Sequence, residues 1–245
     1  MGRFNLLLSL LVALSVLSMV SANPGILAAV INCVANTPCD GTSGNDKMNG
    51  SDGIDKMNGL DGKDRMDGNK GVDTMKGGPG VDTINGGDDQ DLIDELLDTS
   101  KNVLSGGADD DYIKGGEADD TIDGNDGQDI LHGYSGNDKI RGGIGDDILQ
   151  GLPGNDILEG GDGSDVLVGD QDIGPIIIWG ADTLKGGPGD DFLFQNGVGS
   201  EPPITPTTSD GHKDVLDCGD GNDEAWVNVS TDHDETRNCE VVHKG

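Results

Sequence analysis

One nine-residue recurrence constrains this chain more than any other feature. Written with aspartate at the sixth place and an aliphatic residue at the eighth, its units run without a gap from residue 41 to 94: GTSGNDKMN, GSDGIDKMN, GLDGKDRMD, GNKGVDTMK, GGPGVDTIN and GGDDQDLID. After two extra residues comes a degenerate unit, LDTSKNVLS at 97–105, in which Asn102 stands where the aspartate belongs. Seven more units, from GGADDDYIK to GGDGSDVLV, keep register over 106–168. An insertion then precedes IIWGADTLK and GGPGDDFLF at 177–194, a Pro, Ser and Thr-rich loop follows to residue 208, and SDGHKDVLD and CGDGNDEAW close the series at 209–226. A period this short points to a solenoid rather than to a globular domain with one central core.

Each place in the unit has a physical role. Glycines at the first, second and fourth places permit positive φ and close backbone approach, as a tight turn requires. Places seven to nine then form a very short strand, with the eighth residue pointing inward and its neighbours outward. Met48, Ile84 and Leu149 are therefore expected in the core, and Lys47, Asn85 and Gln150 in solvent. Two units make one coil, coils stack about 4.8 Å apart, and the aspartates of successive coils line up on each side. The fold expected is all-β, a parallel β-solenoid. The pattern is weakest where Asp89, Asp109 and Ala118 take the fourth place, because alanine adopts positive φ poorly.

Charge limits the partner. Lys and Arg number 15 against 47 Asp and Glu, a net charge of −32, while 33% of the chain is hydrophobic and 3% aromatic. Such a chain stays unfolded unless something besides apolar burial offsets its ordering entropy and self-repulsion. That something is cationic: calcium, a basic protein or a mineral surface. Nucleic acid and anionic membranes are disfavoured, since binding them needs clustered Lys and Arg. No P-loop, EF-hand, HExxH or GxSxG sequence occurs, and His132, His212, His233 and His243 are scattered. The pieces outside the repeat are each too short to fold alone as a catalytic domain, so the chain is read as non-enzymatic.

The ends carry a different signal. Arg3, an apolar run from Leu6 to Val20 and the small-residue pattern Val20-Ser21-Ala22 read as a secretory signal over residues 1–22. Cys33, Cys39, Cys218 and Cys239 form two close pairs, and an even count in an exported chain points to disulfides. Three pairings are possible; Cys33 with Cys39 and Cys218 with Cys239 are the ones expected. Residues 23–40, with Ile26 to Ile31, are expected to cap the first coil. Residues 227–245, with Val227, Val229, Val241 and Val242, are expected to cap the last. Between them lie a main roll at 41–168, interrupted near 95–105, and an irregular continuation at 169–226.

GGPGVDTIN, GGIGDDILQ and GGDGSDVLV resemble the GGxGxDxUx unit of the RTX, or hemolysin-type, calcium-binding nonapeptide repeats. The resemblance implies a parallel β-roll with Ca2+ held between successive turns by the sixth-place aspartates and by turn carbonyls. Carried over residue by residue, it nominates Asp46, Asp55, Asp64, Asp73, Asp82, Asp91, Asp111, Asp120, Asp129, Asp138, Asp147, Asp156, Asp165, Asp182, Asp191, Asp214 and Asp223. Calcium suits such a set because it takes six to eight oxygens in flexible geometry. The implied protein is secreted, extracellular and folded by calcium. A calcium-stabilised element of a cell surface or matrix is the alternative.

Overall fold

A computed structural model describes residues 28–171, 180–197, 212–227 and 234–244. The signal expected at 1–22, Ile26, residues 172–176 of the insertion at 169–176 with the first three residues of the unit after it, and Val229 lie outside the described residues. Among the described residues there is no helix, and the strands form two parallel sheets of eleven. The sheets take strands alternately along the chain, so each coil adds one strand to each. This is the parallel β-roll that two nine-residue units per coil predict.

Short strands form because the inward residue has a counterpart directly beneath it. In one sheet Ile31, Met48, Met66, Ile84, Leu104, Ile122, Ile140, Leu158, Leu184 and Leu216 are successive register partners. In the other the series is Cys39, Met57, Met75, Ile93, Ile113, Leu131, Leu149, Leu167, Leu193 and Ala225. From Met48 to Ala225 every member is almost wholly buried, and the two ladders form one narrow core along the roll axis. Burying each aliphatic side chain contributes about 1.5–3 kcal/mol, so stability accumulates coil by coil.

Departures from the nine-residue period are absorbed without breaking the ladders. Ile84 pairs with Leu104 across the two-residue insertion, and Leu158 pairs with Leu184 across the longer one. Strand register therefore survives both insertions. Asp89 and Asp109 do adopt positive φ, 75° and 72°. Ala118 does not, so its turn avoids the strain that alanine would suffer there.

The ends continue the roll before they close it. Val30–Asn32 pairs with Lys47–Asn49 and Pro38–Asp40 pairs with Lys56–Asn58, so residues 30–40 make a coil of their own. The Cys33–Cys39 disulfide lies across it, Cα to Cα 5.6 Å. At the far end Glu235–Arg237 and Val241–Lys244 extend the two sheets, and Cys218–Cys239 ties them, 5.1 Å between Cα atoms. Val227 is buried and Val242 packs on the core, but Val241 faces solvent. Strand alternation is the reason: Val242 pairs with the inward Ala225, which turns its neighbour outward.

Candidate metal centre

The sixth residue of each unit ends the turn and immediately precedes a strand, so its backbone is fixed by the sheet and its side chain is directed into the turn. All seventeen aspartates nominated from the sequence, from Asp46 to Asp223, are buried. They join in two ladders. Along the array the backbone N–H of one donates to Oδ1 of the aspartate one coil on: Asp129 to Asp147 at 2.8 Å, Asp138 to Asp156 at 2.8 Å, Asp147 to Asp165 at 2.9 Å; at the far end Asp223 donates instead to Glu240 Oε2 at 2.9 Å. Asn102 keeps the ladder intact, accepting from Asp82 at 2.9 Å and donating to Asp120 at 2.6 Å.

That ladder uses one carboxylate oxygen and leaves the other. Oδ2 of Asp64, Asp73, Asp82, Asp91, Asp111, Asp120, Asp129, Asp138, Asp147, Asp156, Asp165, Asp191 and Asp223 is buried with no hydrogen-bond partner. A buried polar atom without a partner costs about 1–3 kcal/mol, and more when it carries charge. So long a series of orphaned oxygens is not a stable arrangement of the chain by itself. Asp46 and Asp55 differ: Thr42 and Ser51, at the second place of their units, donate backbone N–H and hydroxyl to the second oxygen, and in Asp55 it is Oδ1 that stays buried without a partner.

What surrounds the orphaned oxygen is also oxygen. A Cβ built on Gly115 would lie 2.7 Å from Asp120 Oδ2 and 2.7 Å from the carbonyl oxygen of Gly133, one coil on. The same collision meets a side chain at Gly124, against Asp129 Oδ2 and the Gly142 carbonyl, and at Gly142, against Asp147 Oδ2 and the Gly160 carbonyl. Glycine at the first place thus keeps open a cradle whose walls are a carboxylate and backbone carbonyls. Hard oxygens in a flexible, partly anionic cradle are the donor set of calcium, and His and Cys, which would draw softer metals, are missing from it.

The electrostatics agree. Burial, aided in many coils by the aspartates of neighbouring coils, raises these carboxyls far above the ordinary 3.8: Asp73, Asp129, Asp138 and Asp165 to about 6, Asp82, Asp91, Asp120, Asp147 and Asp191 to about 7, Asp111 to about 8 and Asp156 to about 9. Ionising them together in a dry turn requires a compensating positive charge.

Two further carboxylates were not marked by the sequence pattern. Glu95 and Asp98, in the interruption, are buried, and with Asp82 they bring one carboxylate oxygen each to within 4.8 Å of one another. The available signal was the coincidence of two acids beside the one unit that lacks its aspartate. By contrast, an open groove of about 800 Å³ lined by Pro38, Lys56, Thr74 and Leu92 contains none of the aspartate ladder.

The model of the RTX calcium-binding nonapeptide repeat matches at residues 40–75, 67–94, 98–131, 105–140, 141–173 and 179–194, together more than half of the chain. A search of curated proteins found no match.

Proposed function

This chain belongs to the RTX calcium-binding nonapeptide repeat family, and from that premise we propose that it is a secreted, non-enzymatic protein whose roll folds on binding Ca2+ between stacked turns. The observation that carries the reading is the series of buried carboxylate oxygens left without a partner. The seventeen sixth-place aspartates would hold the ions, assisted by first-place carbonyls, and calcium supplies the charge that lets the carboxylates ionise while buried. The domain plan follows: residues 1–22 as a signal, 23–40 and 227–245 as disulfide-bonded ends, 41–168 as the main roll and 169–226 as its irregular continuation.

Extracellular calcium modules bind at about 0.1–1 mM, so at millimolar calcium each independent site adds about 1.4 kcal/mol to the folded state for a 0.1 mM constant. Export then takes place unfolded, and folding follows where calcium is plentiful. Far-UV circular dichroism of residues 23–245 during a calcium titration, with magnesium as control, tests this. A cooperative coil-to-β transition specific to calcium is expected; identical spectra with and without calcium would overturn the reading.

One feature favours the cell-surface alternative. Leu92, Tyr112, Ile130, Ile148, Val166 and Phe192 are consecutive register partners on the outer face of one sheet, an apolar stripe crossing six coils. Calcium would then stabilise a rod that adheres through this face. Retention on washed cells in calcium, with release by a chelator, distinguishes a surface element from a freely secreted binder.

A further inference from the structure

The interruption at residues 95–102 replaces one turn of the array, and what it places there differs in kind from the turns on either side. In regular coils the first-place N–H donates to a ninth-place carbonyl one coil on, as Gly59 does to Lys76 at 2.8 Å and Gly151 to Val168 at 3.0 Å. Gly77 instead donates to Oε1 of Glu95, eighteen residues on, and Gly78 donates to Oε2 at 3.2 Å. Eighteen residues is one full coil, so Glu95 stands where the next first-place glycine belongs. A side chain there would collide with the cradle in a regular coil, yet the Glu95 side chain turns inward and is fully buried.

The next departure is Asn102, the only unit without a sixth-place aspartate. Its Nδ2 donates to Oδ2 of Asp98 at 2.9 Å, and Asp98 Oδ1 accepts from the Thr99 N–H at 2.7 Å. The residue that lost the carboxylate therefore holds another in its place. Asp82, across the junction, spends Oδ1 on the Asp64 N–H at 2.7 Å, and its buried Oδ2 has no partner. The lone junction lacking a ladder carboxylate is the one where two additional carboxylates each bring an oxygen within 4.8 Å of a carboxylate oxygen of Asp82.

We propose that Asp82, Glu95 and Asp98 form a divalent-cation site of their own, built from side-chain carboxylates where the regular turns offer backbone carbonyls, and that it is the tightest site on the chain. The donors are all hard oxygens, which selects calcium over zinc or copper. Affinity at such sites rises with the number of charged ligands, and three carboxylates within 4.8 Å exceed what one regular cradle presents. An ion held here also ties the coil before the insertion to the coil after it, so folding of the two blocks is joined through this junction. The inference relies on the calcium reading for the identity of the cation alone.

The test is calcium calorimetry on the full chain, comparing wild type, Glu95→Gln with Asp98→Asn, and Asp147→Asn from the regular array. Wild type is expected to bind about one ion in a first step roughly tenfold tighter than the rest. The double variant loses that step and keeps the later phase; Asp147→Asn keeps the step and loses binding from the later phase. Should the double variant fail to fold, Glu95→Gln alone, which retains an acceptor oxygen for Gly77 and Gly78, gives the same reading. A first step unchanged in Glu95→Gln would overturn the proposal, leaving Glu95 as a cap for two backbone amides. Calcium binding in the later phase with no distinct first step would also overturn it while leaving the proposed function intact, whereas no binding at all would end both.

Discussion

The regular coils at 106–168 and the interrupted coil at 95–102 solve one structural problem with different chemistry. Both keep the aliphatic ladder unbroken, Leu104 on Ile122 as Ile84 on Leu104, and both keep the backbone-to-carboxamide or carboxylate bonds of the sixth place. Their turns differ. The regular turn is glycine, lined by carbonyls and one carboxylate per unit; the interrupted turn is lined by Glu95 and Asp98. The difference teaches that the strands set the coil, and that the turn is free to vary provided it brings oxygen and negative charge to the same place.

Removing calcium is the most severe way to break the comparison. Chelation is expected to abolish most β-structure in the regular coils, read by circular dichroism, because the orphaned carboxylates then face one another without a counter-charge. Hydrogen exchange sharpens the result: amides near Asp82 and Asn102 should be the last to lose protection as calcium falls. Equal loss along the whole roll would mean the interrupted turn is no tighter than the others.

Second in size is Leu149→Ala, expected to destabilise the calcium-loaded roll by about 2–5 kcal/mol in denaturant melts, since the side chain is fully buried between Leu131 and Leu167. Leu97→Ala in the interruption is the counterpart. That side chain is 77% exposed, and its loss should stay within about 0.5 kcal/mol.

Acidity separates the calcium-free and loaded states. The carboxyls held at about 6 to 9 bind protons in the folded roll that the unfolded chain, near 3.8, has already released. Stability of the calcium-free roll is therefore present at low pH and lost as pH rises through that range. A chelated sample should show more β-structure at pH 4 than at pH 8. Calcium binding has the opposite dependence, weakening as pH falls through that same range and releasing protons, which calorimetry in buffers of different ionisation enthalpy would detect.

The smallest effect belongs to the outer face. Arg141 bridges Asp123 and Glu159 of the neighbouring coils at 3.4 and 3.3 Å, but the pairs are partly exposed. Arg141→Gln should cost at most about 1 kcal/mol and alter neither calcium phase.

Much of this was legible in the sequence. A strict period allows the inward residue to be named by counting, and Met48, Ile84 and Leu149 are buried as counted. The same counting finds the seventeen aspartates, because the sixth place is defined by the strand that follows it. Both disulfide pairings also followed from proximity along the chain. Counting failed where the period failed. Residues 30–40 form a further coil at the end expected to cap the roll, with Ile31 and Cys39 carrying the ladder without a glycine-aspartate unit to announce it. Val241 was grouped with the capping valines by its hydrophobicity, and strand parity turns it outward.

The sequence by itself determined the period, the coil, the aliphatic core and the lines of carboxylates, because each depends on residues spaced within one or two units and on backbone alternation. Only the tertiary structure decided that the Glu95 side chain accepts from Gly77 one coil back, that Asp98 stands in for the carboxylate missing at Asn102, and that both come within 4.8 Å of a carboxylate oxygen of Asp82. An inserted residue has no place in a periodic count; its position is set by how the ladder on either side closes around it.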